Sequence, residues 1–287
     1  MTPTEIYIPK GCFALDKCTT DLQIRLALQG FGGTGKTYSA LTFPNPIVAN
    51  ADRGLSAHQG RADVVEAPLW NDAYCRSINP NHRPAALKDT IMMWLEKEAT
   101  KLTAQQTLVF DGNTGLQNAY HRWFAVNAQN YLTNAGKLDG FAEWTVKKTY
   151  FGEVMELFKT LQCHVVYICH EVDQKDKNGP QGPSYSGKVR PLLTGGFGDE
   201  ILTHFTDWFR QLSADKLAPD AMTPDVLKMW GMTKDEFIAM QNSFVGNTRY
   251  YWQTESDSIF DAKRGSLIIC PRFIPATYTA FKKYQRK

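Results

Sequence analysis

The feature that most constrains this chain is the octapeptide "GFGGTGKT", residues 30–37. It satisfies the spacing G-x-x-x-x-G-K-[ST]. An apolar run, "IRLALQ" (24–29), leads into it, and a short helical pattern ended by Pro44 follows. Strand, glycine-rich loop and helix in that order make a cradle for phosphate. Glycines let backbone N–H groups converge on phosphate oxygens with no Cβ in the way. The expected nucleotide-binding residues are Gly30, Phe31, Gly32, Gly33, Thr34, Gly35, Lys36, Thr37 and the adjoining Tyr38. Lys36 is expected to reach the β- and γ-phosphates, and the Thr37 hydroxyl to hold Mg²⁺. ATP and Mg²⁺ are the expected cofactors.

A loop of this kind belongs in an α/β sheet, and the chain offers one. Short β-rich runs recur: "PIVAN" (46–50), "DVVEAP" (63–68), "QTLVFD" (106–111), "HVVYIC" (164–169), "WFRQL" (208–212), "RYYWQT" (249–254) and "SLIIC" (266–270). Helical patterns lie between several of them. Pro84 fits a first helical position, with Leu87, Ile91, Trp94 and Leu95 on one face. Val154, Leu157, Phe158 and Leu161 repeat the same spacing before the next run. The alternation predicts a mostly parallel, twisted sheet flanked by helices. From residue 208 onward, strands follow one another with little helix, which predicts an antiparallel extension. Residues 213–248 read as a small helical insertion. Thr223 caps Pro224 there, and "TKDE" (233–236) fits a capping box.

The chain has 287 residues, enough for one large domain. The expected organisation is a short N-terminal arm (1–20) and a single domain (21–287) with a basic tail (271–287). No apolar run approaches the ~18 residues of a membrane helix. The N-terminus lacks a secretion signal, and the six cysteines form neither a CxxC nor a zinc spacing. A cytoplasmic location without a membrane partner is expected. Net charge is +3, yet residues 262–287 carry seven Lys/Arg and no Asp or Glu, leaving −4 elsewhere (+3 − 7). That tail either meets a nucleic-acid backbone or is simply solvated.

A magnesium site needs an acid, and "TLVFD" puts Asp111 at the C-terminal end of a buried strand. There it binds the ion through water. Asp52, just past "PIVAN", can orient or deprotonate a water, or be an ordinary turn aspartate. His170 ends "VVYICH", where it can sense the γ-phosphate or be a satisfied histidine. The segment 171–196 reads as a long loop rich in Gly, Pro, Ser and Lys. Lys175, Lys177, Lys188 and Arg190 can meet phosphates there, although Glu171, Asp173 and Asp176 offset three of those charges. Residues 130–150 mix Tyr131, Phe141, Trp144 and Tyr150 with Lys137, Lys147 and Lys148. Such interleaving suits single-stranded DNA, the other reading being that Phe141 and Trp144 are core helix residues.

The order of these motifs resembles the RecA-like core, and most of all the compact phage-encoded RecA-like ATPases of single-strand annealing. The resemblance covers about 22–270 and adds "ANADRGL" (49–55), "LLTGGFGDE" (192–200) and "QTESDSIFDAKR" (253–264) to the segments above. It implies that Asp52 is the catalytic acid, usually Glu in the family and here one methylene shorter. It implies that Asp111 serves Mg²⁺ and that His170 is the γ-phosphate sensor heading a DNA-binding loop. Thr194, Gly195 and Gly196 resemble a DNA-gripping segment. Lys263 and Arg264 match basic residues that reach the ATP of a neighbouring subunit, although here they are adjacent rather than separated by one residue. The implied function is ATP-dependent binding of single-stranded DNA for annealing or strand pairing in phage recombination and repair. The implied partners are single-stranded DNA, copies of the chain in a ring or filament, and a single-strand-binding protein. The location would be the host-cell cytoplasm. Three alternatives stand beside it. A ring helicase or translocase shares the core, but this length leaves little room for an added primase or loader. A small-molecule kinase needs an arginine-rich lid, and 171–196 holds one Arg. A non-catalytic nucleotide-gated binder fits the shorter acid at Asp52.

Overall fold

The computed structural model describes residues 23–176, 184–192, 200–213, 224, 227, 233–236, 238, 250–258, 260–267 and 270–285. Ten strands form around a parallel centre: β1 (Arg25–Gly30), β2 (Pro46–Asn50), β3 (Val65–Pro68), β4 (Thr107–Asp111), β5 (His164–Asp176), β6 (Ser184–Pro191), β7 (Asp207–Ser213), β8 (Tyr250–Gln253), β9 (Lys263–Arg264) and β10 (Phe273–Pro275). The order is β10-β8-β7-β1-β5-β4-β2-β3, with β6 on β5 and β9 on β7. Strands β7, β1, β5, β4, β2 and β3 run parallel, while β8, β10, β6 and β9 are antiparallel additions. The expected parallel sheet with an antiparallel extension is therefore present. Chain order reverses about β1, and a crevice at the strand ends is where open α/β sheets take ligands.

Central strands are apolar on both faces because both are covered. Ala27, Ala49, Leu108, Phe110, Val165 and Tyr167 join one core cluster; Leu26, Leu28, Val48, Val109, Val166 and Ile168 join the other. The first cluster takes in α3 (Leu87–Lys97), α4 (Asn113–Asn127) and α5 (Gly140–Thr160). Pro84 opens a 3-10 turn, and α3 then buries Leu87, Ile91, Trp94 and Leu95 as its spacing requires. The Asp139 carboxylate caps α5 by accepting from the N–H groups of Phe141 and Ala142. The second cluster takes in α1 (Lys36–Ala40) and the C-terminal α6 (Tyr278–Tyr284), which buries Phe281. The first cluster also takes in Cys75 of α2 (Asp72–Ile78), which Asn71 caps.

Two expectations need correction. The run at 164–169 does not end at His170: β5 continues to Asp176 and turns back as β6. Glu171 pairs with Pro191, Val172 with Arg190 and Asp173 with Val189. Part of the segment read as a loop is instead a paired antiparallel ladder of 171–176 with 184–191, and 177–183 lie outside the described residues. Polar strands outside the core carry no apolar run, so that signal is silent. Likewise "SLIIC" is no regular strand where described; Leu267 makes one isolated bridge to Gln285.

Of the insertion, Thr233 and Glu236 are described, and they exchange the bonds of a capping box. Glu236 N donates to Thr233 Oγ1 (3.2 Å), and Thr233 N to Glu236 Oε2 (2.7 Å). The arm 1–20, Thr223, Lys177, Thr194, Gly195 and Gly196 lie outside the described residues. Within the tail, Tyr278–Tyr284 form a docked helix: Tyr278 N donates to Thr42 Oγ1 (2.9 Å), and Lys282 and Lys283 occupy the last turn. Cys75, Cys163, Cys169 and Cys270 are free and buried. Burial pushes the Cys75 thiol up to about 11 and raises Cys163 and Cys169 as well, so these thiols stay protonated.

Candidate nucleotide site

The glycine-rich loop springs from the end of β1, at the centre of the sheet. A Cβ on Gly30 would stand 2.7 Å from Gln211 O and 2.9 Å from Thr34 Oγ1. Gly33 and Gly35 hold left-handed φ values of 78° and 76°, and Gly35 opens α1. The Lys36 ammonium is buried and donates 2.7 Å bonds to Gly30 O and Phe31 O. It thus lies folded over the loop that a phosphate would enter. Burial lowers its pKa, opposed by Cys169, Asp111 and Glu171. Phe31 and Tyr38 face outward, and the Tyr38 ring lies 5.6 Å from that of Tyr250 on β8. Tyr250 also covers Gly35: a Cβ there would meet its ring at 2.6 Å. Tyr250 had no sequence signal of its own, because its partner is some 200 residues away in the chain.

The acids converge beside this loop. Thr37 Oγ1 donates to Asp111 Oδ2 at 2.7 Å, joining α1 to the end of β4. Burial raises the Asp111 pKa, opposed by the Thr37 bond and by Lys36. The strand register sets Asn50 beside Asp111, and Ala51 N donates to Asp111 O (3.1 Å). Asp52 follows directly. As a residue it is exposed, but its carboxyl accepts the Gly115 N–H at the start of α4. Desolvation, then repulsion from Asp111, pushes it up to about 6 against that bond. Gly112 (φ 138°) and Gly115 make the approach possible. A Cβ on either would lie within 2.8 Å of the Ala51 Cβ, and one on Gly115 within 2.6 Å of Asp52 Oδ1. Both glycines were visible in "DGNTG", but spacing alone gave them no role.

His170 pairs with Gly30 in register, so the imidazole sits on the strand next to the phosphate loop. Its pKa is lowered by burial and by Lys36, against Asp111, which favours the neutral ring. The next residue, Glu171, is buried and grips Arg210 on β7 in a two-pronged pair, Nη2–Oε1 2.9 Å and Nε–Oε2 3.1 Å. Gln29 on β1 adds a bond to the same carboxylate at 3.3 Å. This network spans the three central strands where β5 leaves the sheet and becomes a hairpin. Sequence reasoning missed it; polar residues inside apolar runs were the signal, since buried charges need partners.

The remaining expected residues separate. Phe141 is 79% exposed at the start of α5, so it is not a core residue, whereas Trp144 packs against the core. Lys137 is exposed nearby, and Lys148 is exposed but bridges Glu200 at 2.9 Å. Lys147 needs correction: it is buried, with its ammonium 6.0 Å from the rings of Tyr120 and Phe151, because its position on α5 faces the core. It cannot meet DNA from there. Lys175 and Lys188 lie in the hairpin, as does half-buried Arg190. On β9, Lys263 Nζ donates to Phe205 O (2.6 Å), while Arg264 pairs with Glu255 (2.8 Å) and donates to Cys270 O (3.3 Å). Among the described contacts, none joins either residue to the phosphate loop of its own chain.

A glycine cradle at the head of a parallel sheet, with Lys36, Thr37 and Asp111 in mutual reach, defines a P-loop ATPase core. The profile of the AAA domain family matches residues 22–263, most of the chain, and the protein belongs to that family. No curated protein matches it in sequence. A solved structure of "a prototypical ATPase from the type III secretion system of pathogenic bacteria" is similar at 11% identity and a TM-score of 0.39. The likeness covers 78% of this chain and 64% of that one. Among the described residues, no helix is long and apolar enough to cross a membrane.

Proposed function

We propose that this protein is a RecA-like ATPase that binds single-stranded DNA and promotes annealing or strand pairing in phage recombination. The observation that carries the reading is the junction at His170 and Glu171. One strand passes the phosphate loop, then leaves the sheet as a hairpin bearing Lys175, Lys188 and Arg190. A change at the γ-phosphate is thereby one residue from the base of a hairpin that carries these three basic residues along with Asp173 and Asp176, and a nucleotide-gated grip on DNA needs such a link. Phe141, with Lys137 nearby, offers a stacking ring and a charge for a second contact.

In this reading Lys36 leaves the loop carbonyls for the β- and γ-phosphates. Asp52 takes the proton of the attacking water, reaching it directly or through a second water because its side chain is short. His170 hydrogen-bonds the γ-phosphate and loses that partner on hydrolysis. Thr37 Oγ1 and Asp111 Oδ2, 2.7 Å apart, are a hydroxyl and a carboxylate of the kind that suit Mg²⁺, directly and through water. The ion would neutralise charge on the β- and γ-phosphates. Lys263 or Arg264 of an adjacent copy completes the site, so turnover depends on assembly in the cytoplasm. Electron microscopy with single-stranded DNA and a non-hydrolysable ATP analogue tests this: nucleotide-dependent rings or filaments are expected. Monomers under all conditions would overturn the shared site.

A further inference from the structure

Beside the Asp52 loop lies a cavity of about 400 Å³. Asp52 and Gly115 belong to its wall, and no residue of the phosphate loop does. It adjoins the proposed ATPase site, with which it shares Asp52. Its size is that of a pocket for a small ligand.

Arg53 and Arg122 supply its cations. Arg53 holds a left-handed φ of 61°, uncommon for a residue with a Cβ, and such strain gathers at functional sites. Its guanidinium lies 4.8 Å from the centre of the Trp70 ring. Stacking uses the face of the guanidinium and leaves the N–H edges for an anion. Arg122 is an exposed position of α4 in the same lining, one turn on from Asn118. Among the described residues, neither arginine has an ion-pair partner. Two acids, Asp72 and Asp52, share the lining. Asp72 Oδ1 lies 3.5 Å from His82 Nε2, while the other ring nitrogen of His82 meets Thr90 Oγ1 at 2.9 Å. Asp52 accepts from Gly115. The lining thus offers two guanidiniums without an ion-pair partner and an amide, beside the Trp70 indole, whose N–H goes to Glu66 Oε1 (3.2 Å). Guanidinium forks match phosphate oxygens, and an indole suits a base or sugar.

We propose that this cavity is a second ligand site for a phosphate-bearing nucleotide unit, free or within a nucleic-acid strand, held by Arg53 and Arg122. Occupancy would press on the loop that carries Asp52, so the ligand would alter ATP turnover. The site does not depend on the hairpin or on Phe141.

The test uses the full chain carrying Lys36→Ala, so that the phosphate loop contributes little. Thymidine 5′-monophosphate is titrated by calorimetry, and a short labelled oligodeoxythymidylate by fluorescence anisotropy. At least one probe is expected to bind, and Arg122→Ala and Arg53→Asn are each expected to weaken it about tenfold or more. Arg122→Lys should recover only part, since an ammonium lacks the fork. Asn tolerates the left-handed turn, and thermal melting reports whether each variant folds. If Arg53→Asn is unstable, the exposed Arg122 position carries the test alone. Response of the monophosphate assigns a free nucleotide; response of the oligonucleotide alone assigns a strand. If neither probe binds, or if both arginine variants bind as their parent does, the inference is overturned. Oligonucleotide binding lost on Phe141→Ala but untouched by Arg122→Ala would overturn it while leaving the DNA reading standing.

Discussion

The Asp52 carboxyl accepts the backbone N–H of Gly115, and a Cβ at 115 would stand 2.6 Å from Asp52 Oδ1. The first turn of α4 thus sets where the Asp52 carboxyl, the general base of the proposed mechanism, sits. The shorter acid is placed by the helix behind it rather than by its own reach. Gly115→Ala should push the Asp52 loop away by several tenths of an ångström or more. The expected result is a fall in kcat of about a hundredfold, the scale that a misplaced catalytic group costs. Nucleotide affinity, set by the phosphate loop, should change by less than about threefold. Single-turnover kinetics with equilibrium nucleotide binding separates the two, and equal losses in both would contradict the assignment.

The proton affinity of Asp52 gives a pH signature. Its pKa is raised to about 6, so below that pH the carboxyl is protonated and cannot accept a proton from water. ATP turnover should fall as pH drops through about 6, and Asp52→Asn should abolish both the bulk of the activity and that acid limb. For stability the sign is reversed. A carboxyl whose folded pKa lies above its unfolded value favours folding while protonated and loses that contribution as pH rises through about 6. Buried Asp207, also raised to about 6 by desolvation, behaves the same way. Asp207→Asn should therefore flatten the fall in melting temperature between about pH 4 and 7.

Glu171 and Arg210 form a buried, two-pronged pair at the root of the hairpin. Removing one partner leaves the other charge buried alone. Arg210→Met should cost about 3–5 kcal/mol in urea unfolding. Changing both residues to Met should recover most of that stability but disconnect β5 from β7, weakening DNA stimulation of turnover. Full stimulation in the double variant would show that the pair is structural only.

Phe141 is the most exposed large apolar side chain described, at 79%. If bases stack on it, Phe141→Ala should weaken oligodeoxythymidylate binding about tenfold or more, within the ~1–3 kcal/mol such contacts carry. Melting temperature should stay nearly unchanged, because the residue is largely exposed. Unaltered affinity would remove it from the interface.

The sheet was largely legible because its central strands are buried on both faces and read as continuous apolar runs, such as "TLVFD" ending in Asp111. The phosphate loop was legible because its glycines and Lys36 serve a fixed chemistry. The hairpin was not, since β5 beyond His170 is held by a backbone ladder with polar side chains that leave no period-two apolar signal. Lys147 was misread for a related reason: one lysine of an adjacent pair points inward under aromatic rings, and composition does not tell which. Long-range placements such as Tyr250 over Gly35 and Gly115 against Asp52 depend on packing that no local window contains.

The central claim is that the phosphate loop drives ATP hydrolysis coupled to single-stranded DNA. It is tested most directly by steady-state ATP hydrolysis with and without single-stranded DNA, over a range of salt. The account predicts a rate that rises on adding DNA, loses that rise as salt screens phosphate contacts, and vanishes in Lys36→Ala. A rate indifferent to DNA, or one that survives Lys36→Ala, would contradict it.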